Sequence, residues 1–471
     1  ETFGFAGFFG MPLHLVPLGA TEGQDLLPVL LRPSVALTEH ALGGSEQRID
    51  RHQGLDEFAL AFEYAREAPV APFVMAEAGG LVSGALSTFR TAFPDRFSQI
   101  SRVLRGTVEG HAALEGLVEL DERPALIGEL ARAAEAGLRA MGLIDDFAPI
   151  VLLCGHGSTT QNNAFAATLD CGACGGSRGG GSARAAAAVF NWPPVREALR
   201  SFGIDIPEKT LFLAGEHDTA TDEVVIFHRD ALPESHLEAL IDLEAALRQA
   251  GERLRRERLV LLHPSTSSRA REARRRAADW AQVQPEWGLA NNAAMIIGPR
   301  QLTKGIDLER RVFLHSYRSE IDPDGRLLEA ILAGPMVVAH WISSQYYFST
   351  VDPDRLSAGD KTLHNPVAHI GVVTGESGDL RVGLPLQSLF DGERAMHQPM
   401  RLLVAIAAPT STVSSVLGRS ELLRELVDGE WVHLVVTPSM GDEWMTYLPE
   451  VGFVPWNAQT VREEVKGING V

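Results

Sequence analysis

Apolar residues recur three and four apart through "ERPALIGELARAAEAGLRAMGL", Glu122 to Leu143. That spacing puts them on one helical face, and Gly142 suits the helix's C-terminal stop. "APIVLLC", Ala148 to Cys154, follows as a short β-branched apolar run, the pattern of a buried strand. Gly172 to Gly181 then reads as a Gly/Ser loop. "SARAAAAVF" after it reads as a helix with Ser182 as N-cap. "VREALRSFGI" behind Pro193 and Pro194 continues as helix, and "KTLFLAG" is the next strand. "SHLEALIDLEAALRQAGERLRRERL", Ser235 to Leu259, is a long amphipathic helix with Leu237, Leu240, Leu247 and Leu254 on one stripe. Beyond residue 300 or so the texture turns strand-like, in "RVFLHSY", "HIGVVTG", "RLLVAIAAP" and "EWVHLVVTP". Helix, short loop, buried strand and glycine-rich loop in succession predict an α/β sheet with its site at a strand's carboxyl end.

A chain of 471 residues exceeds what one core organises. The texture divides it into an α/β core over 1–230, a helical segment over 231–300 and an α+β region over 301–471. The formal net charge of -19 argues against a nucleic-acid partner, which needs a basic face, and against adsorption to anionic lipid. The basic run "RAREARRR", Arg269 to Arg276, reads as a solvated helix face. No uninterrupted stretch reaches the ~18 apolar residues of a spanning helix. "EAILAGPMVVAHWI", Glu329 to Ile342, comes nearest and is broken by Gly334, Pro335 and His340. The start at Glu1, directly ahead of the apolar run "TFGFAGFFGM", fits either a processed mature protein or the C-terminal portion of a longer one.

All three cysteines fall in one window, as Cys154, Cys171 and Cys174, with His156 among them. Three thiols make no disulfide framework, and their clustering points to a metal or a reactive site. Three arrangements fit. All four side chains close a structural zinc site; or some of them form an open catalytic zinc site, with Ser158, Asn162, Asn163 and Asp170 around it; or Cys171 and Cys174 are a redox pair. The glycines around Cys174 suit the redox pair poorly. "RGGGSARA" resembles a phosphate loop but lacks the Lys-Ser/Thr ending. His217 and Asp218 in "GEHDTATDE" read as a hydrogen-bonded loop cluster, and His340 as a core histidine.

"CGHGSTTQNNAFAATLDCGACGG" resembles the signature of the DabA family of inorganic-carbon transporter subunits. "ETFGFAGFFGMPL", "FNWPPVREALRSFGIDIPEKTLFLAGEHDTATDE", "RRRAADWAQVQPEWGLANNAA", "KTLHNPVAHIGVVTGESGDLRVGLPLQS" and "DGERAMHQPMRLLVAIAAP" are similar to it too, so the likeness runs through nearly the whole chain. The resemblance implies a β-carbonic-anhydrase-like zinc core with appended α+β regions. It implies a peripheral subunit on the cytoplasmic side of the inner membrane, with no spanning segment of its own, docked on an antiporter-like (DabB-type) membrane subunit. It implies hydration of CO2 to bicarbonate at Zn2+, made one-way by an ion gradient. On this sequence the family's zinc ligands fall on His156 and Cys171, with Asp170 beside them and Cys154 and Cys174 not binding metal. The other two ligands belong to a Cys-x-Asp-x-Arg segment that the family carries just before "ETFGFAGFFG"; this chain has none. A structural zinc scaffold and a zinc or thiol hydrolase are the alternative functions.

Overall fold

The computed structural model describes residues 1–17, 20, 22–27, 31–33, 35–41, 61, 70–109, 116–118, 123–162, 169–171, 176–229, 232–262, 270–282, 289, 291–360, 365–367, 371–373, 380–391, 394–396, 398–438 and 441–457. Two compact units interleave along the chain. One comprises Gly7–Ala134 and Phe147–Gln284, the other Glu1–Ala6, Glu135–Asp146 and Pro285–Val471. Residues 231–300 divide between them: helices Leu237–Leu262 and Ala270–Ala278 fall in the first and the strand Ala294–Ile297 in the second.

In the first unit the apolar run after Ala148 becomes strand β5 (Ile150–Gly157), three residues longer than its apolar part and carrying His156 at its end. β5 pairs in parallel with β6 (Leu211–Asp218), and β7 (Glu223–Ile226) returns antiparallel to β6. A second sheet has the order β2-β1-β3-β4, from β1 (Leu13–Val16), β2 (Gln24–Leu26), β3 (Val35–Ala41) and β4 (Gly116–Val118). Helix Gly180–Asn191 packs on β5 and β6 through Ala183, Ala185, Ala186 and Phe190, all buried. Alanines keep the helix close to the strands. A Cβ on Gly181 would press on Leu15 and Leu26, so the same helix also meets the second sheet. Phe147, Phe190 and Phe212 stack beneath it, with Phe212 6.3 Å from Phe147 and 4.9 Å from Phe190. Asn191 then acts as an extra strand neighbour: its amide donates to the Phe212 carbonyl at 2.7 Å and accepts from the Phe212 N–H at 3.0 Å.

Three local expectations change here. Helix Gly180–Asn191 begins two residues before Ser182, which is buried inside it and caps nothing. The Glu216 carboxylate accepts from the Gly180 N–H at 3.0 Å and so satisfies a helix-start donor from a neighbouring strand. Leu237 of the long helix is exposed, whereas Leu240 and Leu259 are buried. The basic run is not a freely solvated face: Arg275 and Arg276 bond Glu272, and Arg271 and Arg274 lie near Asp95 and Glu223.

The second unit is built on a six-stranded sheet ordered β18-β17-β16-β15-β8-β9. β8 (Ala294–Ile297), β9 (Val312–His315), β15 (Leu402–Ala407) and β16 (Val432–Thr437) are parallel, and β17 (Met445–Leu448) and β18 (Gly452–Pro455) form an antiparallel margin. Between β9 and β15 lie the short strands β10 (Asn365–Val367), β11 (Gly371–Val373), β12 (Leu380–Arg381), β13 (Phe390–Asp391) and β14 (Arg394–Ala395). The core gathers Ile297, Val404, Ile406, Leu434 and Val436 from the strands and Leu328, Ile331, Met336 and Val337 from the helical run Arg326–Val351.

That run is one continuous helical stretch, longer than the apolar segment 329–342 suggests. By length and composition alone it could cross a membrane, a test that the core helix of a soluble protein also passes. Pro335 does not end it, because Leu332–Met336 forms a π turn that absorbs the missing N–H. One side of the run faces the sheet core, as the buried Leu328, Leu332, Met336 and Val337 record.

Gly4 fits here because a Cβ would lie 2.1 Å from the Leu314 carbonyl oxygen. Its N–H donates to Ser316 Oγ at 3.0 Å and its carbonyl accepts from the Ser316 N–H at 2.8 Å. Phe5 then stands edge-on to the His315 ring at 5.2 Å. Burial pushes His315 down from 6.5 to about 4, against the hydrogen bond to the Ser316 carbonyl. The unfolded chain therefore takes up this proton first as pH falls. Stability should be full above pH 6.5 and be lost between 6.5 and 4, by up to about 3 kcal/mol. Urea midpoints at pH 7 and 4.5 should differ less in His315→Phe than in the wild type.

Candidate metal centre

β5 and β6 end side by side. Their register pairs Gly155 with Glu216, His156 with His217 and Gly157 with Asp218. The chain leaves β5, passes Ser158 to Asn162, and returns through Leu169, Asp170 and Cys171. Thr219 Oγ1 donates to the carbonyls of Gly157 at 3.1 Å and Leu169 at 2.7 Å, joining the departing and returning segments. The Ser158 N–H donates to Asp170 Oδ1 at 2.7 Å. Asp218 fastens the same corner by accepting from Thr159 N–H and hydroxyl and from the Thr221 hydroxyl, at 3.1, 2.6 and 2.7 Å.

These ties bring the His156 imidazole to the Cys171 thiol. Cys171 is 3% exposed, and its backbone is held in a tight turn by Cys171 N–H to Ser177 O at 3.3 Å and Gly176 N–H to Cys171 O at 2.9 Å. Burial alone would depress His156. The hydrogen bond and negative charge of Cys171 outweigh it, with help from the Leu169 carbonyl and Asp170, and His156 titrates above the ordinary histidine range. His156 Nδ1 is buried and finds no well-formed hydrogen bond among the described residues. A buried ring nitrogen without a partner is costly unless something absent completes it. An imidazole nitrogen beside a thiol is half of a zinc donor set, so these two residues fit the metal that the resemblance implies. Among the described residues, no group of three or more His, Cys, Asp and Glu side chains gathers around one point.

Asp170 does not join the pair directly. Burial pushes its carboxyl up, against the Ser158 N–H, Arg178 and His156, which pull it down. Cys154 stands two residues before His156 on β5 and keeps an exposed edge. The surrounding protein, with the Glu216 charge, still pushes its thiol up to about 11, so it is no thiolate at neutral pH. Cys174 and Asn163 lie outside the described residues. Gly7 runs alongside, and a Cβ there would sit 3.3 Å from Cys171 Sγ.

Reasoning from sequence missed Arg178 and Glu216. Glu216 is the residue before His217 in "GEHD", which is the end of β6 and not a loop. Its carboxylate takes the Arg178 Nε at 3.1 Å and Nη2 at a shorter distance, and the Gly180 N–H. "RGGG" is thereby accounted for without a phosphate. Gly179 donates to the His156 carbonyl at 2.8 Å, and a Cβ on Gly155 would lie 2.5 Å from the Gly179 carbonyl carbon. Gly155→Ala should therefore lower stability by ~1–3 kcal/mol, as overpacking does, in chemical denaturation.

The chain matches the family model described as "Probable inorganic carbon transporter subunit DabA" over residues 1–432. It is 41% identical over 444 residues to a protein of that description from Legionella pneumophila (strain Lens), covering 92% of this chain and 58% of the relative. A relative from Chloroflexus aggregans is 43% identical over 449 residues, covering 92% and 53%, and one from Roseiflexus sp. is 41% identical over 471 residues, covering 97% and 55%. The chain thus spans somewhat more than half the length of these relatives. With the family model matched over most of the sequence and identities above 40%, this chain belongs to the DabA family.

Proposed function

We propose that this chain is the metal-bearing part of an inorganic-carbon uptake assembly, and that His156 and Cys171 are two protein ligands of a zinc ion serving hydration of CO2 to bicarbonate. The observation that carries this reading is a half-buried imidazole whose buried Nδ1 has no hydrogen-bond partner among the described residues, beside a buried thiol, in a chain of the DabA family. Zinc, when bound, supplies a Lewis acid that brings the pKa of water to about 7. The chain's own part is to hold the donors. β5 aims His156, the turn closed by Cys171 and Ser177 keeps the thiol out of bulk water, and Asp170 adds negative charge that favours a cation. The remaining ligands are, on the family resemblance, the Cys and Asp of a Cys-x-Asp-x-Arg segment that this chain lacks. The β-carbonic-anhydrase-like core and the place at the cytoplasmic face of the inner membrane belong to the same proposal.

An antiporter-like membrane subunit is the partner in this reading, with CO2 and bicarbonate as substrate and product. The segment "HWISSQYYF" offers it exposed Trp341 and Phe348, while His340 and Tyr346 of the same helix are buried. Phe348 and Trp431 lie 6.1 Å apart, and the Arg401 guanidinium lies 5.1 Å from the Trp431 ring. Aromatic and Arg side chains of this kind anchor protein interfaces.

Two measurements decide the matter. In the full-length protein, zinc content should collapse for His156→Ala and Cys171→Ala and change little for Cys154→Ser and Cys174→Ser. Equal loss in all four supports a closed structural site and ends the catalytic reading. In stopped-flow hydration assays the protein without its membrane partner should show little turnover, because ungated hydration would only equilibrate the carbon pool. Robust turnover in isolation removes the gating.

A further inference from the structure

The loop that carries Cys171 is anchored at both ends, but one carboxylate ties it to the sheet at two points. Glu216 lies on β6, opposite Gly155 of β5, and its side chain is 11% exposed. Oε1 takes the Arg178 guanidinium, and Oε2 takes the Gly180 N–H at 3.0 Å. These two attachments flank Gly179, whose N–H donates to the carbonyl of His156 itself at 2.8 Å. Arg178 continues the bridge, with Nη1 3.5 Å from the Ser158 carbonyl and its guanidinium against Gly157, where a Cβ would come within 2.9 Å of Nε. Ser177, the residue before Arg178, is the backbone partner of Cys171. The path from Glu216 to the thiol is thus Arg178, Ser177, Cys171, and the path to the imidazole is Gly180, Gly179, His156.

We propose that Glu216 and Arg178 act as a clamp that sets the spacing of His156 and Cys171, and thereby tunes the affinity and coordination geometry of a divalent metal at that pair. The inference rests on the metal reading above. Glu216 and Arg178 are positioning residues, not ligands: the carboxylate is committed to Arg178 and Gly180, and its charge is matched by the guanidinium. Outer residues that orient metal ligands characteristically contribute 10–100-fold to affinity.

The test uses the full-length protein loaded with Co2+, whose visible spectrum reports thiolate ligation and geometry. Glu216→Ala should weaken Co2+ and Zn2+ binding by ~10–100-fold and shift the cobalt bands. Arg178→Met, which keeps the Gly180 hydrogen bond and alters a half-exposed side chain, should shift the bands with a smaller loss, and Glu216→Gln should fall between. Wild-type affinity and an unchanged spectrum in both Glu216→Ala and Arg178→Met overturn the clamp, even if thermal stability drops. If the wild type binds no metal, the metal reading fails first. The clamp is then decided in a Cys154→Ser/Cys174→Ser background by the rate at which iodoacetamide alkylates Cys171. A rise of about tenfold or more with Glu216→Ala or Arg178→Met supports the clamp, on the scale of one lost ion-pair contact; equal rates overturn it.

Discussion

The site depends on one close approach of backbone to backbone. Gly155 and Gly179 pass each other with no room for a Cβ on either, and the Gly179 N–H reaches the His156 carbonyl at 2.8 Å. This contact fixes where the loop ends and helix Gly180–Asn191 begins. Because the helix is packed on β5 and β6 through small alanines, its start cannot slide away from the strands. Gly179 is therefore held at the end of β5, and Cys171, bridged to Ser177 two residues earlier, falls beside His156. Of the glycines that look like a phosphate cradle in the sequence, Gly179 leaves space for another main chain, and Gly180 and Gly181 leave space for the side chains of Glu216, Phe227, Leu15 and Leu26.

Charge is handled in the same economical way. In a protein with a net charge of -19, the acidic groups nearest the strand ends are mostly committed. Glu216 is matched by Arg178, and buried Asp222 by Arg258 at 2.6 Å. Further out, buried Glu39 is matched by Arg184, whose guanidinium also lies 5.0 Å from the Phe227 ring. Asp170 is the exception, half-enclosed, with its carboxyl pushed up by burial. A cation arriving at His156 and Cys171 would therefore meet a thiol and a carboxyl that both gain from positive charge, in surroundings where Glu216 and Asp222 are already paired with arginines.

Much of this was legible from periodicity. The run "APIVLLC" and the spacing in 122–143 gave a strand and a helix, because burial on one or two faces leaves a direct imprint on residue order. The strand-like segments "RLLVAIAAP" and "EWVHLVVTP" likewise became β15 and β16. What periodicity cannot carry is a partner far away in sequence. The helix start at Gly180 was misplaced onto Ser182 because its N–H is satisfied by Glu216, 36 residues on. The continuity of the helix through Pro335 is not legible in the sequence, because a π turn is a local repair with no composition signal of its own. The clustering of cysteines with His156 was readable, whereas Arg178 and Glu216 were not, since an ion pair between a glycine-rich loop and a strand end leaves no spacing rule behind.

The two neighbouring histidines at the strand ends show how hydrogen-bond commitment separates scaffold from site. His156 and His217 are register partners on adjacent parallel strands, and either looks eligible from sequence. His217 Nε2 lies 3.2 Å from Asp222 Oδ1, and Asp222 is itself buried, left-handed at φ 55 and held by Arg258. The Arg255 guanidinium donates to the carbonyls of Thr221 and Asp222 at 2.9 and 3.2 Å, so the whole corner is braced from the long helix. His217 is thereby part of the frame. His156 has a buried Nδ1 that no described residue satisfies, and a thiol at its side. His217 is fixed through Asp222 and two arginines, whereas Nδ1 of His156 has no partner among the described residues, and that difference is why the metal proposal falls on His156 and not on His217.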